Sequence, residues 1–295
     1  MTEGEFIAAL RQLPLHAGAR GLSDDVAVVE GLVVTTDTMV AGVHFLPNAE
    51  PGDVAWKLVA TNLSDLAAKG ALVEGVLLNY PLSDVAWDGA FLEGLREVLA
   101  AYDCPLIGGD TVTLPAGAPR VLTVTAVGRD AAAPPRFGAR AGDGLWVVGA
   151  IGDAGAGLAL LARGEDGPAA LLKAHRRPRP LLSEGRALAL LAHAMMDVSD
   201  GLLLDASRMA AASGLAVAIA LDAVPVSDAA LRVLGSRLAA ATAGDDYALL
   251  CALPDGVDPQ VPAIRIGAFA AGSGLTVTER GAPVALPNRL GWLHG

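Results

Sequence analysis

The sequence predicts a mixed α/β (α+β) chain organised as two halves, and three observations carry that prediction. Short apolar, β-branched runs alternate with amphipathic helical patterns from end to end. Hydrophobic residues make up 53% of 295, enough for two buried cores, and charged residues only 18%, which excludes a disordered chain. Near the middle, Ala131-Ala132-Ala133-Pro134-Pro135-Arg136 interrupts the pattern, because neither proline can donate to a helix or a central strand. The expected division is 1–132 and 133–295.

Each element has its own signal. Residues 5–13 read as a short amphipathic helix before a Gly- and His-bearing loop. Val26–Val29 and Leu32–Thr36 are β-rich runs either side of Glu30-Gly31, a hairpin that delivers Thr36 and Asp37 at its end. A long helical pattern then starts near Asp53, a candidate N-cap after Pro51-Gly52, and finishes in the stretch Thr61–Ala71. Val54, Leu58, Val59, Leu63, Leu66 and Ala67 give it one apolar stripe, while Asn62 and Asp65 share another edge. Val73–Tyr80 reads as a buried strand and Ala86–Tyr102 as a second amphipathic helix. Pro105–Ile107 is a short strand feeding a Gly108-Gly109-Asp110-Thr111 loop, and Arg120–Gly128 is another strand. In the second half, strand Leu145–Val148 leads through the loop Gly149–Gly157 into a helix. A helix around Arg186–His193, strand Met195–Val198, helix Leu202–Ala212 and strand Leu215–Leu221 follow. Later strands are expected at Tyr247–Leu253, Ala263–Ile266 and Leu275–Thr278.

A formal net charge of −11 leaves no basic stripe for nucleic acid. The same charge repels a phosphate-bearing ligand unless divalent cations stand between them. No apolar run reaches the ~18 residues of a membrane span. The acidic start Met1-Thr2-Glu3-Gly4-Glu5 lacks the basic segment of a secretory signal. Cys104 and Cys251, far apart in apolar settings, read as buried thiols in a reducing compartment, so the expected location is cytoplasmic.

The chemistry concentrates in aspartates set among apolar or glycine-rich neighbours: Asp24, Asp25, Asp37, Asp65, Asp110, Asp197, Asp200, Asp245 and Asp246. Few have an Arg or Lys within sequence reach, and carboxylates without side-chain cations usually find a metal. Asp65 also has a plain reading, as an i,i+4 surface pair with Lys69 contributing only about 0.3–0.5 kcal/mol. There is no G-x-x-x-x-G-K-[ST] loop, no protein-kinase signature, no G-x-S-x-G elbow and no zinc spacing. The Gly149–Gly157 loop has the wrong spacing for a dinucleotide fingerprint. Asp, Ser and Thr oxygens remain, hard ligands suited to Mg²⁺.

Five stretches resemble one family in its own order. They are Thr35-Thr36-Asp37-Thr38-Met39-Val40-Ala41-Gly42-Val43-His44-Phe45, Asn62-Leu63-Ser64-Asp65-Leu66-Ala67-Ala68, Gly108-Gly109-Asp110-Thr111, Asp197-Val198-Ser199-Asp200-Gly201-Leu202 and Gly244-Asp245-Asp246-Tyr247. Together they are similar to the signatures of thiamine-monophosphate kinase, a branch of the aminoimidazole ribonucleotide synthetase-like superfamily. The resemblance implies a two-domain fold whose N-terminal strands close a barrel across a homodimer. It implies ATP and several Mg²⁺ ions, with thiamine monophosphate converted to thiamine diphosphate. By similarity, Asp25, Thr35, Thr36, Asp37, Asp65, Asp110, Asp197 and Asp200 are metal-binding positions. Gly109, Asp110, Arg136 and Ser199 match ATP-contacting positions, and His44, Asp245 and Trp292 match substrate-contacting ones.

Two departures stand out. Ser23 replaces the usual Gly before the first Asp pair, and Asp245 replaces a Glu, one methylene longer. Rival expectations are another ATP-using synthetase of the superfamily, or a non-catalytic nucleotide-binding scaffold. A selenophosphate-type enzyme would typically have a Cys near its N-terminus, and no Cys precedes Cys104. In the kinase reading no general base is needed, in keeping with a sequence that shows no evident catalytic His or Lys. Trp292 is expected to stack on the planar rings of the acceptor.

Overall fold

The computed structural model describes residues 1–129 and 132–293. The boundary expected at 132/133 abuts Asp130 and Ala131, which lie outside the described residues. The N-terminal half contains α1 (Glu3–Leu10), β1 (Ala27–Val29), β2 (Leu32–Val40), α2 (Pro51–Ala68), β3 (Leu72–Leu82), α3 (Val85–Ala101), β4 (Leu106–Thr113) and β5 (Val121–Arg129). Its strands form one sheet in the order β1-β2-β5-β3-β4. The β1–β2 hairpin turns at Glu30-Gly31 as expected, and β3 and β4 run parallel on either side of α3.

The second half runs β6 (Gly144–Val148), α4 (Asp153–Ala162), α5 (Ala169–Arg176), α6 (Leu182–Ala189), β7 (Ala194–Val198), α7 (Leu202–Ala212) and β8 (Leu215–Ala220). It continues with α8 (Asp228–Leu234), α9 (Arg237–Ala241), β9 (Ala248–Leu253), β10 (Ile264–Ala271), β11 (Gly274–Glu279) and β12 (Ala282–Pro283). Its seven-stranded sheet has the order β12-β11-β8-β10-β6-β9-β7, antiparallel except for β11 on β8. No helix is long and apolar enough to cross a membrane among the described residues. Cys104 and Cys251 are buried free thiols.

Helix α2 joins the halves, and here the structure corrects the single-stripe expectation. Every residue from Lys57 to Ala68 is buried, so the helix is enclosed on all sides. Leu58, Leu63 and Leu66 pack into the N-terminal core, whereas Ala67 and Ala68 join Leu188, Met195 and Leu249 of the other half. Each fully buried leucine contributes roughly 1.5–3 kcal/mol. The crossing with α6 is close enough to require glycine. A Cβ on Gly185 would lie 2.0 Å from the Ala67 carbonyl oxygen.

Three boundaries also differ. Pro51 occupies the first helical turn and Glu50 precedes it, so Asp53 is not the N-cap but an ion-pair partner of Arg177 at 2.5 Å. Strand β2 continues to Val40, which puts Thr35, Thr36 and Asp37 mid-strand, where β5 supplies the ladder. The Gly108-Gly109-Asp110-Thr111 motif lies inside β4, not in a loop after it. Gly108 and Gly109 have φ of 154° and 152°, and a Cβ on Gly109 would sit 1.9 Å from the Leu78 carbonyl oxygen. Glycine at both positions lets β4 lie against β3, with a shift of register just before Gly108.

Candidate active site

A cleft of about 1000 Å³ opens between the two halves, and three faces of the chain supply its chemistry. Strand β2 and the turn after it present Thr36, Asp37 and His44; α2 presents Lys57, Thr61 and Asp65; β7 presents Asp197, and the loops after β7 and before β9 present Ser199, Asp200 and Asp245. Asp25, Arg136 and Trp292 complete the predicted residues on its walls. Thr35 is buried just behind them. Gly109 and Asp110 are not on this cleft; they lie on β4, all of whose residues are exposed.

The anchor stretch of α2 is a connector between strands. Asp65 Oδ2 accepts from Thr35 Oγ1 at 2.5 Å, and Asn62 Oδ1 accepts from the Asp37 N–H at 3.1 Å. On the other side, Ser64 Oγ donates to Asp197 Oδ2 at 2.6 Å. One helical turn therefore registers β2 against β7. Lys69 does not pair with Asp65. It is fully buried, and its ammonium donates to Asp24 Oδ1 at 2.7 Å and to the Met195 carbonyl at 2.9 Å. The surface-pair reading fails because α2 has no surface there.

Several of these aspartates nevertheless meet cations in the fold. Asp24 is held by Arg20 and Lys69, Asp200 by Arg208, and Asp245 by Lys57. Arg136 bonds Asp25 Oδ1 at 3.0 Å and the Ser23 carbonyl at 3.2 Å. Lys57 and His175 also line the cleft. Of the described aspartates that line the cleft, Asp37, Asp65 and Asp197 have no ion pair. Burial, with Asp25 and Asp200 nearby, pushes Asp37 up to about 6. Burial and then Asp25 push Asp197 up to about 7, against the Ser64 hydrogen bond. Asp65 is raised well above the ordinary range by burial and by Asp37, Asp197 and Asp25. Asp25 Oδ2 is buried with no hydrogen-bond partner.

That is the electrostatic signature of a site fitted to cations. No three Asp, Glu, His or Cys side chains among the described residues close on one ion position.

The opposite end is differently built. Asp245 Oδ2 receives the Lys57 ammonium and lies 3.0 Å from His175 Nδ1, while Tyr247 donates its hydroxyl to Oδ1 at 2.9 Å. Burial alone would raise this carboxyl, yet Lys57 and His175 together hold it well below the ordinary range. His44 lines the cleft, and its Nδ1 accepts from the Val40 N–H at 3.0 Å, which orients the ring. Trp292 stands half-exposed on the rim, its N–H bonded to the Asp200 carbonyl at 2.9 Å. Behind Asp200, buried Asp205 accepts the Asp200 and Gly201 N–H groups, each at 3.1 Å.

The AIR synthase related protein N-terminal domain matches residues 23–129, and the corresponding C-terminal domain matches 140–280. The thiamine-monophosphate kinase of Caulobacter vibrioides is 41% identical over all of this chain and 91% of its own length. The chain belongs to the thiamine-monophosphate kinase family. A second member, from Salmonella typhimurium, is 38% identical over 86% of this chain and 84% of its own length. Among solved structures, AaThiL complexed with AMPPCP and TMP superposes with a TM-score of 0.87 at 29% identity. That match covers 100% of this chain and 97% of the other. Lys57, His175, Arg208, Asp205 and Tyr247 were not singled out from the sequence. Two of them had a readable signal there: Lys57, Thr61 and Asp65 follow at four-residue steps on one helix face, and Tyr247 closes the Gly244-Asp245-Asp246-Tyr247 stretch.

Proposed function

We propose that the chain transfers the γ-phosphoryl group of ATP to the phosphate of thiamine monophosphate, giving ADP and thiamine diphosphate. The observation supporting this most directly is one cleft with two unlike parts. Unpaired carboxylates at Asp37, Asp65 and Asp197 gather around one part of it, and Asp245, fixed by Lys57 two helical turns from Asp65, stands at another, with His44 and Trp292 also on the lining. The first suits phosphates bridged by cations; the second suits a planar cationic ring. A phosphate monoester has a second pKa of about 6, so the acceptor oxygen attacks as a dianion and needs no general base. Two phosphate charges about 4 Å apart repel by roughly 4 kcal/mol at an effective dielectric of 20.

We assign Asp25, Thr35, Thr36, Asp37, Asp65, Asp110, Asp197 and Asp200 to Mg²⁺, which when bound offsets that repulsion and orients the facing oxygens. Thr35 and Ser64 fix the Asp65 and Asp197 carboxylates in place for this role. Gly109, Asp110, Arg136 and Ser199 are assigned to ATP, and His44, Asp245 and Trp292 to the acceptor. Residues 1–132 and 133–295 are the two domains in this reading, and the enzyme is cytoplasmic.

The same reading includes a homodimer. Pairing places Asp110, Asn79, Thr123 and Thr38 in one row across β4, β3, β5 and β2, so Asp110 is about 14 Å from its own cleft strand at the usual strand spacing. Strand β4 is an open edge with Leu106, Ile107 and Val112 about half-exposed. A second copy would cover that edge, close the barrel and bring its own Gly109 and Asp110 to this cleft.

Incubation with ATP, Mg²⁺ and thiamine monophosphate should yield ADP and thiamine diphosphate, with EDTA abolishing turnover and excess Mg²⁺ restoring it. Full turnover in chelator would remove the metal from the reading. For the dimer, inactive Asp110→Asn and Asp65→Asn chains should regain activity when unfolded together and refolded, to about a quarter of wild type if sites form in trans. No recovery would place Asp110 in its own chain's site.

A further inference from the structure

Lys57 is the cleft residue that the assigned roles leave unused. Its side chain is 6% exposed although it carries a charge, and it stands on the same face of α2 as Thr61 and Asp65. Its ammonium meets Asp245 Oδ2 from the helix side, while His175 on α5 approaches the same oxygen at 3.0 Å. The loop carrying Asp245 is held in an uncommon backbone conformation, with φ of 76° at Gly244, 68° at Asp245 and 51° at Tyr247. It is pinned by the Asp245 N–H on the Ser199 carbonyl at 2.7 Å and the Tyr247 N–H on the Val198 carbonyl at 2.8 Å. Backbone, lysine and tyrosine thus aim one short carboxylate.

Lys57 and His175 also stand where two cavities meet. Beside the main cleft lies a second space of about 250 Å³, and Phe45, Leu46, Lys57 and His175 line both. Asp245 lines only the main cleft. The Lys57–Asp245 pair is therefore a partition as well as an ion pair.

Resting on the function proposed above, we infer that Lys57 is a positioning residue for the acceptor. It keeps Asp245 turned into the cleft as a fixed negative charge for the cationic ring, and it closes the side cavity to that ring. The pair makes up from the helix side for the reach that Asp245 gives up to a glutamate.

The test is steady-state kinetics on Lys57→Met, Asp245→Asn and the double variant, each substrate varied in turn. Lys57→Met keeps length and loses charge. It should raise the KM for thiamine monophosphate about tenfold, with kcat less affected and the KM for ATP within about twofold. Its preference for thiamine monophosphate over an uncharged isostere of the thiazolium ring should shrink. The double variant should be no worse than the poorer single variant, because the two residues act as one unit. It should also melt above Lys57→Met, since no unpaired buried charge remains. Losses that multiply in the double variant, or a change in the ATP constant with the acceptor constant spared, would overturn the inference alone. A wild type that makes no thiamine diphosphate would overturn the proposed function together with it.

Discussion

Asp65 and Asp245 face one cleft, both largely withdrawn from water, and their carboxyls are driven in opposite directions. Around Asp65 stand Asp37, Asp197 and Asp25, with only the Thr35 hydroxyl in its favour. Around Asp245 stand Lys57, His175 and the Tyr247 hydroxyl. Burial is common to both, so neighbours decide the outcome. The Asp65 end keeps an unmet demand for positive charge that a ligand must bring. The Asp245 end has its counter-charge built in and presents a carboxylate already held in one orientation. Asp24 and Asp25 repeat the contrast one residue apart. Asp24 is satisfied by Arg20 and Lys69, whereas Asp25 retains a buried oxygen without a hydrogen bond.

The comparison breaks most sharply in an exchange of charge for amide at each end. Asp65→Asn removes one negative ligand and keeps shape, and should lower turnover by about a hundredfold or more. The metal-free fold should gain from it, because three carboxylates no longer crowd one another; each kcal/mol relieved raises the melting temperature by roughly 2 °C in a chain this long. Asp245→Asn should do the reverse to stability, leaving the Lys57 ammonium buried and unpaired at a cost of up to about 3 kcal/mol. Thermal melts of the two metal-free variants check the signs. Melting shifts in the same direction would mean that the two ends do not differ as their neighbours suggest.

What could be read in advance divides along the same line. The motif aspartates were readable because each motif carries its own local chemistry, and alternating periods of two and 3.6 gave the two mixed halves. Their partners were not. His175 meets Asp245 across 70 positions of sequence, from α5, a helix with no separate signal in the Pro-punctuated segment around it. Lys69 looked like a surface partner of Asp65 because periodicity records which residues share a helix face. It does not record whether that face meets solvent or, as here, the other half of the molecule. The β4 motif was misplaced because two consecutive glycines usually signal a loop, and only the neighbouring Leu78 carbonyl shows why a strand needs them. Short helices α8 and α9 carry too few turns for any period to register.

A smaller effect sharpens the acceptor end. Trp292 is 52% exposed on the cleft rim with its backbone N–H tied to the Asp200 carbonyl. Stacking on a cationic thiazolium is worth about 1–2 kcal/mol when desolvated. Trp292→Ala should therefore raise the KM for thiamine monophosphate roughly five- to thirtyfold and leave the KM for ATP nearly unchanged. Kinetics with each substrate varied separately decide it, and a change confined to ATP would move the acceptor ring elsewhere.

The smallest expected effect is a pH dependence whose sign follows from the contrast. Asp37 at about 6 and Asp197 at about 7 hold their protons more tightly folded than unfolded, where the ordinary value is 3.8. Between pH 4 and 7, on the order of those values, the folded state binds more protons, so stability falls as pH rises through that window. Asp24 and Asp245 are shifted down, so their contribution is present above the ordinary carboxylate value and is lost as pH falls below it. Together the two ends should give metal-free protein a melting temperature that peaks near the low end of the window and declines toward neutrality. Mg²⁺ with a non-hydrolysable ATP analogue should flatten the neutral side, because bound cations favour the ionised carboxylates at the Asp65 end. Asp65→Asn should flatten it without any metal, and Lys57→Met should steepen the acid side not at all. A neutral-side decline that persists in Asp65→Asn and in the presence of Mg²⁺ would show that groups outside this cleft cause it.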